Sequence, residues 1–163
     1  MDAYRSKKIA SPVGELTLVA RGPKLAAILW ANDRPGRVRM EASDESLNHP
    51  TLIQAERQLD EYFEGKRSHF DLDLDLDGTD FQKRVWDALL KIPFGETRTY
   101  LQIAEGLGNP KATRAVGAAN GRNPISIVVP CHRLVGSSGH LTGFAGGLAA
   151  KAYLLELESR RVS

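Results

Sequence analysis

The order of apolar and polar positions along this chain changes texture near Gly78. Before it, short runs separated by turn residues read as strands. Lys7 to Ala10, a Ser11-Pro12-Val13-Gly14 turn, Leu16 to Val19, a Gly22-Pro23 turn and Leu25 to Trp30 predict a three-stranded antiparallel meander. A polar loop from Asn32 to Pro50 follows. Leu52, Ala55, Leu59, Tyr62 and Phe63 then recur at helical spacing, predicting a helix over Thr51 to Phe63 with Gly65 as its stop. Residues 70–78 alternate between leucine and aspartate, the period of an edge strand, and lead into a linker. The same segment fails as a calcium loop: counting from Asp73, Arg84 falls where the bidentate glutamate belongs. This half reads as a small α/β unit.

After Gly78 the period becomes helical. Thr79 and Gln82 match a capping box, and Phe81, Val85, Trp86, Leu89 and Leu90 form a stripe that stops before Pro93. A second capped segment begins at Thr99, with Tyr100, Ile103, Ala104 and Leu107 on one face. Gly108-Asn109-Pro110 predicts a turn in which Asn109 caps a third helix, with Pro110 at its first position and its end near Asn120. Two short helices across a glycine turn resemble a helix-turn-helix. The third helix is poor in large side chains, which suits either tight packing against another helix or close approach to a DNA groove, with Arg114 projecting. Asn120-Gly121 and Asn123-Pro124 predict turns, and Ile125 to Val129 predicts a buried strand stopped by Pro130.

Charge adds a polarity to this division. Residues 1–80 hold 11 Lys/Arg against 15 Asp/Glu, whereas residues 81–163 hold 11 against 5. Between Glu105 and Glu156 there is no carboxylate, while Lys111, Arg114, Arg122, Arg133 and Lys151 fall in that window, so a polyanion meets no like charge there. The apolar runs are far short of the ~20 residues that cross a bilayer, and no apolar signal core follows Met1. A cytoplasmic protein without membrane contact is the expectation.

The single cysteine, Cys131, excludes an internal disulfide and a cysteine-rich zinc site. It stands directly after the stop at Pro130 and before His132 and Arg133. Free cysteine is often an inert core residue, and a bare Cys-His pair does not by itself decide otherwise. If the thiol is a nucleophile it needs help, because its free pKa is about 8.5. His132 is the nearest base, and Glu156 or Glu158 on the last helix could orient the imidazole. A cysteine hydrolase and a DNA-binding regulator both remain compatible with these residues alone.

Pro130-Cys131-His132-Arg133-Leu134-Val135 resembles the signature of the methylated-DNA-protein-cysteine methyltransferases, the O6-alkylguanine-DNA alkyltransferases. Gly78-Thr79, Phe81-Gln82, Val85-Trp86, Tyr100, Arg114-Ala115-Val116-Gly117, Asn123-Pro124 and Gly146-Gly147-Leu148 with Lys151 and Leu154-Leu155 are similar to that family in order and spacing. The resemblance is strongest over residues 78–158. It implies an α/β ribonuclease-H-like domain over 1–77 and a mostly α, winged-helix-like (helix-turn-helix) domain over 78–163. It also implies a single-turnover enzyme that takes the alkyl group from O6-alkylguanine, and from O4-alkylthymine, in double-stranded DNA.

On the same grounds Cys131 is the expected alkyl acceptor, His132 the base acting through a water, Glu158 its carboxylate partner and Asn123 the brace of the preceding turn. Arg114 is the expected finger that fills the gap left by the flipped nucleotide, and Tyr100 lies near that nucleotide's phosphate and base. Ala115, Gly117 and Ala118 permit close approach to DNA, with Arg122 beside them. Ser126 and Phe144 stand where related proteins have proline and tyrosine, so they are expected to shape the pocket, and Ser126 within Asn123-Pro124-Ile125-Ser126-Ile127 resembles the constitutive bacterial form. No metal and no cofactor is implied, and a monomer is expected.

Overall fold

A computed structural model of the chain describes residues 3–38, 40 and 43–160. The amino-terminal apolar runs become β1 (Tyr4–Ile9), β2 (Leu16–Arg21) and β3 (Lys24–Trp30). They pair antiparallel, β1 on β2 from Tyr4↔Arg21 to Ile9↔Leu16, and β2 on β3 with Leu16 opposite Trp30. Ser11 closes the first turn by accepting from the Gly14 amide, and Gly14 and Gly22 both take the positive φ that such turns require. The polar loop contributes one strand that its composition did not announce. β4 (Asp44–Glu45) lies parallel to β1, giving the order β3-β2-β1-β4.

Helix α1 (Pro50–Phe63) starts at His49, whose ring accepts from the Thr51 amide, with Pro50 in the first turn where its missing N–H costs nothing. It buries Leu52, Ala55, Leu59 and Tyr62 against the sheet. The aspartate-leucine segment is extended but is not a full strand. It touches β3 by one parallel bridge, Leu25↔Leu74, in which Leu25 N–H donates to Asp73 O (2.9 Å) and Asp75 N–H to Leu25 O (2.8 Å). The edge of β3 is shared: further along, Ile28 N–H donates to Pro124 O (2.9 Å) and Ile28 bridges Ile125. One sheet edge therefore holds both the end of the first half and the turn that precedes Cys131, which leaves no free edge there for a longer strand.

Helix α2 (Asp80–Leu90) carries the predicted capping box, Thr79 and Gln82 each satisfying the other's backbone amide. Its Trp86 donates through Nε1 to Ala119 O (2.8 Å), and Gly78 is needed because a Cβ there would lie 2.5 Å from the indole. Strand β5 (Arg98–Thr99) leads into α3 (Tyr100–Gly106), capped by Thr99 and Gln102 in the same reciprocal way. The next helix, α4 (Thr113–Gly121), begins three residues later than the Asn109-Pro110 signal suggested. Ala112 N–H closes a tight turn on Asn109 O (3.0 Å), so helical bonding starts only with Val116 N–H to Ala112 O (2.9 Å).

The segment Ile125 to Val129 is buried as expected, but it is a tight turn rather than a strand. Val128 N–H returns to Ser126 O and Val129 N–H to Ile125 O, both at 2.9 Å, and Ile127 takes φ 76°. A β-branched residue there is strained, so the fold must hold this turn against its own preference. A single 3-10 turn, Cys131–Arg133, follows, then β6 (Leu134–Val135), parallel to β5, and α5 (Leu148–Arg160). Buried side chains from Ile9 to Leu157 form one core cluster that runs through both halves.

Candidate active site

Cys131 sits at the first position of the 3-10 turn, 3% exposed, at the floor of a cavity of about 550 Å³. Gly117 and Ala118 of α4 line one side, Phe144 and Ala145 another, and Asn32 and Arg34 reach in from the loop after β3. Asn123 braces the strained turn from within: its Nδ2 donates to Val129 O (2.8 Å) and its Oδ1 accepts from Ile125 N–H (3.0 Å). The sulfur's own amide donates to the same Val129 carbonyl at 2.7 Å. Burial pushes the Cys131 thiol above its ordinary pKa, and the Asn123 and Ser126 side chains and the Arg37 and Lys151 charges pull the other way.

Behind the cysteine lies a buried ionic cluster. Glu158 Oε2 accepts from Tyr62 Oη (2.6 Å), His132 Nε2 (2.7 Å) and Arg133 Nη2 (3.0 Å), while Oε1 accepts from Arg133 Nε (2.8 Å). Arg133 Nη1 donates to Ile92 O (2.7 Å). Burial opposes a charge on Glu158, but His132 and Arg133 outweigh it and bring its pKa down to about 2. The carboxylate is thus ionised and can only accept. Burial holds His132 below its usual pKa, so the ring is neutral, its Nε2 carries the proton given to Glu158, and Nδ1 is left with its lone pair. That nitrogen is buried and has no hydrogen-bond partner among the described residues. A lone basic nitrogen in the residue next to a buried thiol is an arrangement that can take a proton from it.

The remaining sequence-predicted residues divide by environment. Arg114, Ala115 and Ala118 are on the exposed face of α4. Gly117 faces the Tyr100 ring, which would lie 3.6 Å from a Cβ, and Tyr100 Oη pairs with Thr142 Oγ1 at 2.6 Å. Arg122 lines the cavity, yet its guanidinium donates to Gly36 O (2.8 Å) and Arg37 O (3.2 Å), tying α4 to the loop after β3. Ser126 is fully buried, its Oγ accepting from Trp30 Nε1 at 3.0 Å. Phe144 packs edge-on against Trp30, with ring centroids 5.3 Å apart.

Three residues that matter here, Tyr62, Trp30 and Arg37, had no recognisable signal. Tyr62 read as one more member of a helical stripe, and Trp30 as the end of a strand. Arg37, in the polar loop, is buried and donates to Asn123 O (2.8 Å) while pairing with Asp33 (2.8 Å). Lys151, which belongs to both the basic window and the resemblance, is fully buried and donates to Leu134 O (2.6 Å) and Thr142 O (3.2 Å), pinning the loop that carries Phe144.

Residues 4–76 match the family model of the 6-O-methylguanine DNA methyltransferase ribonuclease-like domain, and residues 80–160 that of the same family's DNA-binding domain. The methylated-DNA–protein-cysteine methyltransferase of Methanosarcina acetivorans is 49% identical over 149 residues, covering 91% of this chain and 94% of its own length. That of Mycobacterium bovis is 49% identical over 163 residues, covering 97% and 93%. The crystal structure of Mycobacterium tuberculosis OGT in complex with DNA superposes with a TM-score of 0.88 at 48% identity, covering 98% of this chain and 94% of that one. With a buried cysteine beside a neutral, carboxylate-held histidine and both domain models in register, this chain belongs to the methylated-DNA–protein-cysteine methyltransferase family.

Proposed function

We infer that the protein repairs alkylated DNA by moving the alkyl group of O6-alkylguanine, and of O4-alkylthymine, irreversibly onto Cys131. The observation that carries this is the unpartnered Nδ1 of His132, fixed as an acceptor by Glu158 and next in the chain to the only thiol. A water held by Nδ1 relays the thiol proton to the imidazole, and the thiolate attacks the sp3 carbon in line. The S–C bond forms as the C–O6 bond breaks, and the proton passes on to the departing guanine. The product thioether has no acidic proton and no second thiol to resolve it, so each molecule acts once.

Residues 78–163 form the DNA-binding and acceptor domain, with α3 and α4 as a winged-helix-like helix-turn-helix pair, and residues 1–77 the ribonuclease-H-like domain. The exposed small residues Ala115 and Ala118 let α4 approach a groove closely, and Arg114 enters the base stack where the damaged nucleotide is flipped out toward the Cys131 cavity. The working form is a cytoplasmic monomer. No helix among the described residues is long and apolar enough to cross a membrane.

The test is to incubate the protein with duplex DNA carrying labelled O6-methylguanine. Label appears on the Cys131 peptide in a burst equal to the amount of protein, with no later turnover. Continued turnover would point instead to a cysteine hydrolase.

A further inference from the structure

Two walls enclose the space over Cys131, and they come from different parts of the chain. Gly117 and Ala118 of α4 form one; Gly143, Phe144 and Ala145, in the loop between β6 and α5, form the other. Trp30 braces the second wall, edge-on to Phe144 and so close to Gly146 that a Cβ there would lie 2.6 Å from its ring. Apolar contact is non-directional, so it is the polar ties of the loop that fix where it stops. Among the described residues, both hydrogen bonds from residues 137–146 to groups outside 136–147 fall on Thr142. Its carbonyl accepts from Lys151 Nζ (3.2 Å), and its Oγ1 pairs with Tyr100 Oη (2.6 Å). Its methyl sits over Gly136, where a Cβ would lie 3.3 Å from Thr142 Cγ2. Tyr100 is the first residue of α3, and its ring lies against Gly117. The Tyr100–Thr142 bond therefore runs from one wall of the cavity to the other.

We propose that Thr142 is a positioning residue for alkyl transfer: its hydroxyl, bonded to Tyr100, fixes the spacing between the α4 wall and the Phe144 wall, so that an incoming base is held in place over Cys131. The proposal rests on the reading of Cys131 as the nucleophile in that transfer. Thr142 does not itself line the cavity, so it acts through Tyr100 and through the wall that begins at Gly143. In-line attack needs the base held close to its reacting geometry. A wall fixed before the base arrives loses no freedom when it binds, whereas a loose wall has to be ordered in the complex and binding is weakened by that amount. A small reagent that reaches the sulfur without being held gains nothing from the spacing. That difference separates positioning from a role in folding or in the reactivity of the thiol.

Two reagents on the full-length protein test this. Free O6-benzylguanine must be held between the walls to react; iodoacetamide need not be, and because Cys131 is the only cysteine it reports this thiol alone. Thr142→Val keeps the shape and removes the hydroxyl. It slows the reaction with O6-benzylguanine at subsaturating concentration about fivefold, the size of one neutral hydrogen bond, and does not slow iodoacetamide. Thr142→Ser, which keeps the hydroxyl, reacts like the wild type. Tyr100→Phe loses at least as much on O6-benzylguanine, and adding Thr142→Val to it costs nothing further. Wild-type reactivity of Thr142→Val with O6-benzylguanine overturns the proposal. So do an equal loss on both reagents, a Thr142→Ser protein as slow as Thr142→Val, or full additivity in the double variant. If Thr142→Val does not fold, Tyr100→Phe removes the same bond from the other side, and no loss on O6-benzylguanine, or an equal loss on both reagents, then overturns it. Failure of the wild type to take label from O6-methylguanine DNA is a different result, and it would sink the functional reading rather than the tie between the walls.

Discussion

The inner side of Cys131 and the outer face of α4 are neighbours in the chain and opposites in construction. On the inner side, Glu158 accepts four hydrogen bonds from three side chains, Arg133 reaches on to Ile92, and both residues are buried. On the outer face, Arg114 and the small residues Ala115 and Ala118 face solvent with no partner of comparable strength among the described residues. A buried charge must find its partners within the chain, because leaving one out costs several kcal/mol. A surface made for another molecule has the reverse requirement, since any internal partner would have to be displaced. The charges of the first region are therefore satisfied within the chain, whereas the second is left open, for DNA in the function proposed above.

The comparison breaks most directly at the cysteine. Cys131→Ser keeps the shape and removes the nucleophile, so alkyl transfer is lost entirely while binding to duplex DNA, read by mobility shift, is retained. Full repair by this variant would place the chemistry elsewhere.

Removing the central acceptor of the inner side comes next. Glu158→Ala leaves Arg133 without its carboxylate, a loss of about 3–5 kcal/mol, which at about 2–4 °C per kcal/mol lowers Tm by roughly 10 °C. The pH dependence has the same origin. Glu158 has its folded pKa depressed to about 2, so its contribution is present above the ordinary carboxylate range and is lost as pH falls toward 2. His132 is also depressed in the folded state, so the unfolded chain binds its proton first and stability already declines as pH drops below the usual histidine value. Urea unfolding between pH 8 and pH 3 checks this; stability that stays level through that range would refute the assignment of charges.

Arg114→Ala tests the outer face. It slows repair in duplex DNA about tenfold or more, because a flipped nucleotide costs a few kcal/mol to hold out of the stack, but it leaves reaction with free O6-benzylguanine nearly unchanged. Equal losses on the two substrates would assign Arg114 to the pocket instead.

The smallest effect is expected where the two regions meet. Arg122 lies on the basic face but donates to the Gly36 and Arg37 carbonyls. Arg122→Ala therefore costs about 1 kcal/mol of stability and leaves the salt dependence of DNA binding in place. A fall of about one in the slope of log affinity against log salt would show that it contacts a phosphate after all.

Local rules carried much of the fold. Both capping boxes, the three amino-terminal strands and the α1 stripe depend on residues within a few positions of one another, and they form as their spacing predicts. Where local signals misled, a distant partner had taken over. The aspartate-leucine segment lost most of its strand because β3's edge is shared with Ile125, and the Ile125–Val129 run became a turn because Asn123 and the sheet edge hold Ile127 at positive φ. Two-residue β4 had no pattern long enough to read.

The candidates for the reacting residues were written in the chain itself: one cysteine, a histidine beside it, a basic window without carboxylates and a signature that resembles a known family. The residues alone left open which of Glu156 and Glu158 meets the histidine, a choice only the resemblance made, and nothing in the chain said which histidine nitrogen is left bare or that Tyr62, Trp30 and Arg37 stand around the site. Helix phase turns Glu158 inward and leaves Glu156 in solvent. The other three lie between 69 and 101 residues from Cys131 in sequence. Their contacts exist only once the sheet and the carboxyl-terminal helices close on one core, because hydrogen bonding and burial act over a few ångströms of space and take no account of distance along the chain.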